Sequence, residues 1–160
     1  MGKDRKKKEE KPKKSEFKAF LKKRAPIYLG LIALFVVFVI PELTKGDLES
    51  CLPEISADEQ QVVDVLMGYN GPNESGLTVM EAISMKINEE YPDERIYDNK
   101  KTTCDLIVSS VDSDNHQVVL NFVSHKGELN YDWNVDTSSG KITANNPASK
   151  HIIDLVDYYD

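Results

Sequence analysis

The residues best suited to acid–base or metal chemistry are the three histidines, His116, His125 and His151. His116 and His125 flank one predicted strand, about nine residues apart, which places them roughly 30 Å from each other along it. At that separation they cannot share a metal ion. His151 lies on a predicted helix next to a lysine. We therefore interpret all three histidines as surface or partly buried imidazoles.

No other pattern in the chain is typical of an enzyme. No serine or cysteine stands in a nucleophile motif, and no glycine-rich loop is present to hold a phosphate. The stretch DSDN, residues 112–115, offers oxygen atoms that suit Ca²⁺. It lacks the later glycine and the bidentate glutamate of a calcium-binding loop, so a polar turn is the better interpretation. The sequence therefore predicts a protein that is not an enzyme and carries no cofactor or metal.

The chain contains two cysteines, Cys51 and Cys104. In an oxidising compartment such a pair predicts a disulfide, which would close a loop of about 54 residues and contribute on the order of 4 kcal/mol. Two buried free thiols are the alternative, and two isolated cysteines lack the close ligand spacing of a zinc site. A second candidate modification is N-glycosylation of Asn73 in the sequon NES, which requires that this part of the chain is exported.

The charge is divided sharply along the 160 residues of the chain. Residues 1–24 hold twelve Lys and Arg residues against four acids, a net charge of +8, whereas residues 42–160 hold eight bases and 23 acids, a net charge of −15. A lysine-rich segment before an apolar run is typical of a cytoplasmic tail that contacts lipid headgroups. A nucleic-acid partner is not expected, because the only aromatic residues among these charges are Phe17 and Phe20.

Residues 25–43 form the apolar part of the chain, and Ala25–Pro41 is seventeen residues without a charge. As a helix this run measures roughly 26 Å, just enough for the hydrocarbon core of a bilayer, and it has no polar face. Pro26 suits the start of the helix and Pro41 its end. No small-residue cleavage pattern follows, which favours an uncleaved signal anchor over the rival, a cleaved signal peptide. We expect a single-pass cell-membrane protein with a cytoplasmic N-terminus and residues 44–160 outside.

Residues 44–55 are predicted to be a polar linker, and residues 56–160 to form one small domain. Ser56 and Thr78 are each followed three residues later by a glutamate, the capping-box pattern of a helix start. Asn146, which precedes a proline, predicts the start of a third helix near the C-terminus. The segments between the second and third helices that predict strands are TTCDLIVSSV, HQVVLNFVSH, LNYDWNVD and KITAN.

The clearest strand is LNYDWNVD, residues 129–136, in which apolar and polar residues alternate strictly. A period of two buries one face of a strand and leaves the other in water. With its neighbours this strand predicts an α+β fold, in which helices pack on the apolar face of an antiparallel β-meander behind one N-terminal transmembrane helix. The water-facing side of the strand carries Asn130, Asp132, Asn134 and Asp136.

Residues 77–144 resemble a PepSY-type domain, in which a helix precedes strands and a strand of the form Y-x-V-x-V-D continues into x-G-K-V. The matching stretches are LTVMEAISMKINEEYPD and YDWNVDTSSGKI. The resemblance implies a small extracytoplasmic module that inhibits, chaperones or regulates a partner, often a protease, or that decorates a membrane protein. The strand TTCDLIVSSV and the C-terminal helix depart from the pattern, and a cystatin-like helix on a curved sheet is the alternative. The carried positions resemble core and hairpin residues of the family: Tyr131, Trp133, Val135, Asp136, Gly140, Lys141 and Ile142.

The function predicted from these features is binding of a protein partner by a domain attached to the lipid bilayer, as an accessory subunit or regulator of a membrane or cell-surface complex. The candidate contacts are Asp132, Asn134 and Asp136 on the predicted sheet and Tyr158 and Tyr159 in the acidic C-terminus.

The alternative function is the sensing of a small ligand by a tethered domain. In that case a pocket would lie between the helices and the sheet. The residues that would line this pocket, or otherwise fill the core, are Phe122, Tyr131 and Trp133.

Overall fold

The computed structural model of the chain describes residues 14–40 and 45–160, with side chains described from residue 24 onward within those ranges. The chain divides into two compact units, of which the second is Lys45–Asp160. Residues 1–13, which make up most of the predicted basic tail, lie outside the described residues. Residues 41–44, at the junction of the predicted transmembrane segment and linker, also lie outside them.

The first unit contains one long helix, α1 (Lys14–Leu34), which continues as a π-helical segment over Phe35–Val39. The backbone N–H of Ile40 donates to the carbonyl of Phe35, the five-residue spacing of a π-helix. Large apolar side chains from Ile27 to Ile40 are between 36% and 67% exposed. The segment therefore has apolar side chains around its whole circumference and no polar side to turn toward water.

The described part of the predicted transmembrane helix, residues 25–40, does not form a separate helix that begins at Pro26. α1 begins at Lys14, so Pro26 lies inside it instead of at its start. The Lys, Glu, Ala and Leu residues before the proline are strong helix formers, which explains why the helix extends upstream. The apolar run is then divided between the end of α1 and the π-helical segment. Within the described residues, no helix has both the length and the hydropathy needed to cross a membrane.

The second unit begins with three helices: α2 (Leu48–Cys51), α3 (Ala57–Met67) and α4 (Val79–Glu90). Ser56 and Thr78 each form the predicted capping box, in which the hydroxyl accepts from a backbone N–H and a glutamate side chain accepts in return. The short α2 is not predicted by the sequence and lies in the segment expected to be a linker. Asp47 caps it, and Leu48 is buried in the core.

Four strands form one antiparallel sheet, in the order β1 (Thr103–Ser110), β2 (Asn115–Val123), β3 (Glu128–Asp136) and β4 (Lys141–Ala144). Consecutive strands are neighbours, so the predicted meander is confirmed. The register places Leu106 opposite Leu120, and Leu120 opposite Tyr131. The core-facing side chains of three strands therefore lie in one row.

The last helix, α5 (Pro147–Tyr159), follows directly on β4. Asn146 caps it, because its side chain accepts from the N–H of Ser149 at 2.7 Å. The helix packs against β3, β4 and α4. Its apolar stripe includes Ile152 and Val156, both fully buried.

The helices of the second unit cover only one face of the sheet, since alternate residues are buried along β1, β2 and β3. The largest buried side chains are Trp133, Tyr131 and Phe122. A disulfide joins Cys51 at the end of α2 to Cys104 in β1, with the Cα atoms 5.6 Å apart, so the predicted cross-link is confirmed. The α+β architecture of the unit is confirmed as well. The opposite face of the sheet, called the open face below, is left without a covering layer among residues 45–160.

Candidate interaction surface

The three histidines occupy separate places in the second unit. His116 lies at the start of β2, with Nδ1 at 3.3 Å from the Ser110 hydroxyl. His125 stands in the β2–β3 turn, where its Nδ1 is 3.2 Å from the Asn99 amide. His151 is on α5. Among residues 14–40 and 45–160, no cluster of His, Cys, Asp and Glu side chains has the arrangement of a metal site.

Phe122, Tyr131 and Trp133 form part of the packed core. Phe122 and Trp133 are fully buried, and Tyr131 is almost so. The rings of Tyr131 and Trp133 stack with centroids 5.5 Å apart, and the ring of Tyr97 meets Phe122 edge-on at 5.8 Å. These contacts make the three residues a solid layer between the helices and the sheet.

Three of these aromatic residues carry buried polar atoms. Within the described residues, the hydroxyls of Tyr97 and Tyr131 and the indole nitrogen of Trp133 have no hydrogen-bond partner. Burial raises the pKa of Tyr131 far above its ordinary value of 10.0, and burial likewise raises the pKa of Tyr97 to about 12. Both phenols are therefore neutral at physiological pH, and neither is suited to act as a general base.

Clefts of several sizes indent the described surface of the second unit, and four of them bear on the predicted site. One of about 630 Å³ lies between the Lys45–Leu48 segment and α4, and one of about 480 Å³ lies beside Met85 and Tyr159. A third, of about 330 Å³, is lined by Tyr131 and His151, and a fourth, of about 280 Å³, lies beside Leu106. Phe122 and Trp133 line none of these four clefts.

The open face of the sheet is built around the half-buried carboxylate of Asp132. The side-chain amide of Gln117 donates to both of its oxygens at 3.0 Å, and the amide of Asn145 donates to one of them at 2.8 Å. Asn134 in turn donates to the side-chain oxygen of Asn145 at 3.0 Å. Asp132 and Asn134, two of the predicted contact residues, are thus brought together in one amide network that holds the carboxylate in place.

Asp136, the third predicted contact residue of β3, has a different role. Its carboxylate accepts from the backbone N–H groups and hydroxyls of both Ser138 and Ser139 in the β3–β4 turn. The hydroxyl bonds of Ser138 and Ser139 lower the pKa of Asp136 to about 2, because they favour its charged form. Gly140 then adopts a positive φ of 69°, which closes the turn.

An apolar pair lies next to the amide network on the open face. Ile107 of β1 is directly opposite Val119 of β2, and Val119 is directly opposite Asp132. Ile107 is 53% exposed. The open face of the strands carries four carboxylates against the single ammonium of Lys141. Asp132 lies opposite Val119 and Asp105 lies two residues before Ile107, while Glu128 and Asp136 lie at the two ends of β3. The open face therefore combines a small apolar centre with an acidic and amide-rich border.

Tyr158 and Tyr159 lie away from that network, at the other end of α5. Nine residues separate Tyr158 from Ser149, a distance of roughly 14 Å along the helix. Tyr158 is 81% exposed, and the two rings meet edge-on at 5.2 Å. The predicted contact residues therefore form two separate groups, one on β3 and one at the C-terminus.

The C-terminal residue closes the loop that carries the candidate glycosylation site. The Asp160 carboxylate accepts from the backbone N–H of Asn73 at 2.8 Å and from that of Ser75 at 3.1 Å. Gly71, with a positive φ of 91°, lies so close to Asp160 that a Cβ atom there would clash with it. Asn73 itself is exposed.

Several residues of this surface are not found by sequence reasoning. Gln117 and Asn145 stand beside Asp132 only because the strand register and the start of α5 bring them there. Ile107 has a signal in the sequence, since it lies between alternate buried positions of β1, but the sequence does not say which face of an edge strand stays uncovered.

Comparison with protein-family models, with curated proteins and with solved structures gives no match for this chain. The resemblance to PepSY-type and cystatin-like domains therefore stays a prediction.

Proposed function

We propose that this chain is a membrane-attached binding module. The apolar segment of residues 25–40 holds the protein at a lipid bilayer, and the unit of residues 45–160 binds a protein partner with the open face of its sheet. The protein then acts as an accessory subunit or regulator of a membrane or cell-surface complex. The observation that carries the proposal is the run of exposed apolar side chains from Ile27 to Ile40.

The free energy of hydration supports attachment to a bilayer. Twelve large apolar side chains of this segment are exposed. Removing one such side chain from water is worth about 1.5–3 kcal/mol, so together they strongly favour an apolar medium. The lysine-rich residues upstream suit the anionic headgroups of a cytoplasmic leaflet. The Cys51–Cys104 disulfide supports a location of residues 45–160 in an oxidising compartment.

The open face supports binding of a protein partner. Its apolar centre, Ile107 and Val119, is small, and its border is acidic. Such a surface suits a partner that presents apolar side chains flanked by basic ones, because buried apolar contacts give affinity and complementary charges give orientation. The alternative, a small-ligand pocket, has less support, because Phe122 and Trp133 are fully buried in a packed core.

Attachment is tested by flotation of cell membranes on a density gradient after washing at high pH. We expect the full-length chain to float with the membranes. Replacing Leu31, Phe35 and Phe38 by aspartate should move it to the soluble fraction, whereas Ile107→Asp should leave it with the membranes. A wild-type chain that stays in the soluble fraction would overturn the attachment.

Partner binding is tested with a photo-reactive amino acid placed in the full-length chain in its native membrane. At Ile107 we expect one discrete cross-linked product of higher mass. Met85, which is 47% exposed on α4, serves as the control position and should give none. Equal products from both positions, or none from Ile107, would contradict binding by the open face.

A further inference from the structure

β1 is an edge strand with an unoccupied side. The N–H of Val111 donates to the carbonyl of Asn115, so the odd-numbered residues of β1 turn their backbone groups toward β2. The even-numbered residues turn theirs outward. Within the described residues, no hydrogen bond reaches these outward groups. The outward positions are Cys104, Leu106, Val108 and Ser110.

At the opposite edge of the sheet, the part of β3 that β4 does not reach is closed. β4 is only four residues long, and the part of β3 beyond it is covered by the start of α5. There Ser149 accepts from the N–H of Asp132, Asn145 donates to the carbonyl of Asp132, and the Asn146 side chain donates to the carbonyl of Asn130. The fold thus gives the outward groups of this part of β3 hydrogen-bond partners, whereas those of β1 have none among the described residues.

β1 also lacks the usual protection of an edge strand. Natural edges are made short, or carry lysine, proline or a bulge, which prevents pairing with another chain. β1 is eight residues long, contains neither lysine nor proline, and pairs with β2 in an unbroken register. Its only charged residue is Asp105. Such an edge is a template for strand addition.

A cleft lies beside this edge on the helix side of the sheet. The cleft of about 280 Å³ is lined by Leu106 of β1 together with apolar residues that include Leu52, Ile55 and Met67. Its polar lining includes the carboxylates of Glu49, Glu54 and Asp64. A strand added to β1 would direct alternate side chains toward this cleft and toward the open face.

We infer that β1 binds an extended segment of the partner as a fifth, added strand, and that this segment carries apolar residues in alternation with basic ones. The apolar side chains enter the cleft beside Leu106. The basic side chains meet Asp105 and the acidic border of the open face. A second copy of this chain is a poorer occupant, because β1 itself contains no basic residue. The inference rests on the proposed function and specifies how the partner is held.

The probe is a synthetic peptide, RVTVRVTVR, added to the full-length chain in mild detergent while amide hydrogen exchange is measured residue by residue. In the free chain, we expect the amides of Leu106 and Val108 to exchange fast and those of Ile107 and Ser109 slowly. With the peptide, the amides of Leu106 and Val108 should become protected. The charge-reversed peptide EVTVEVTVE should protect neither.

Val108→Pro removes one outward N–H and leaves the bonds between β1 and β2 in place, since proline is tolerated at the outer side of an edge strand. We expect this variant to bind the peptide roughly tenfold more weakly or worse, the effect of about one lost hydrogen bond. Val108→Ala, which keeps the N–H, should bind nearly as the wild type does. Equal binding by Val108→Pro, with a sheet intact by circular dichroism, would overturn the inference, as would peptide binding without protection of Leu106.

Dilution separates the two occupants of the edge. The outward amides of β1 could already be protected from exchange in the concentrated free chain and lose that protection on dilution. This result would show that two copies of the chain pair through β1, and it would contradict binding of a partner segment. A partner that cross-links to Ile107 equally in wild type and Val108→Pro would overturn strand addition and leave the proposed function standing. Peptide protection of the edge without any cross-linked partner in membranes would support the edge site and contradict the proposed function.

Discussion

The backbone N–H of Asp132 donates to the hydroxyl of Ser149 at 2.6 Å, and Ser149 is fully buried. This bond joins the first turn of α5 to the part of β3 that β4 is too short to cover. It fixes the position of Asp132 and so holds the amide network of the open face. The contact surface of the sheet therefore depends on a helix that lies at its edge.

Ser149→Ala should lower the free energy of unfolding by about 1–3 kcal/mol, because the buried N–H of Asp132 loses its acceptor. Urea unfolding of the full-length chain in detergent measures the change. Ser113→Ala, at an exposed turn, is the matched control and should change stability by less than about 0.5 kcal/mol. Equal effects of the two substitutions would contradict the role of Ser149.

The Cys51–Cys104 disulfide spans a sequence separation of 53 residues. Replacing both cysteines by serine should lower the free energy of unfolding by about 4 kcal/mol, because the unfolded chain regains the entropy of the open loop. Reduction of the wild type should give the same midpoint of unfolding as the double variant. A loss under about 1 kcal/mol would show that the cross-link adds little to the fold.

Stability should fall in acid as capping carboxylates become protonated. Hydrogen bonds from Ser138 and Ser139 lower the pKa of Asp136 from 3.8 to about 2, and bonds from Ser56 and Thr78 lower those of Glu59 and Glu81 below 4.5. The folded state thus binds fewer protons than the unfolded state, so the contribution is full above these ordinary values and is lost as pH falls toward 2. Thermal unfolding between pH 7 and pH 2 measures this dependence.

Asp136→Asn is the specific test of that dependence. It removes the titrating group, so the midpoint temperature of the variant should fall less than that of the wild type below about pH 4, while above about pH 5 the difference stays constant. If the difference in midpoint temperature between variant and wild type were the same at every pH, Asp136 would not titrate in the way its hydrogen bonds imply.

Asp160 should govern the mobility of the loop that carries Asn73. Asp160→Ala removes the acceptor of two backbone N–H groups, so amide exchange at Asn73 and Ser75 should become faster. Asp154→Ala, on the exposed face of α5, is the control and should leave that exchange unchanged. Unchanged exchange in Asp160→Ala would mean that the loop is held by other contacts.

Local signals in the sequence account for most of the fold of residues 45–160. The capping residues Ser56, Thr78 and Asn146 mark three helix starts, and the alternation around Trp133 marks a strand, because each feature depends on neighbouring residues alone. The short α2 is not predicted in this way, since four residues are too few to show a helical period of apolar side chains. In the first unit, the prediction that the helix starts at Pro26 is wrong, because the helix-forming residues before the proline extend the helix upstream.

The candidate surface is less predictable for a physical reason. Asp132 and Asn134 are identified from the strand pattern, but their partners Gln117 and Asn145 depend on register and on the start of α5. The open edge of β1 follows from the order of the strands, which is not a local property. Such features can be identified only once the strands are assembled into the sheet.

The most direct test of membrane-attached partner binding is recovery of the full-length chain from its native membrane in mild detergent, followed by mass spectrometry of what accompanies it. We expect one partner in a fixed ratio to this chain, and its loss when Ile107 and Val119 are both replaced by arginine. Met85→Arg should retain the partner. Recovery of the wild-type chain alone, or the same companions with the arginine variant, would contradict the account.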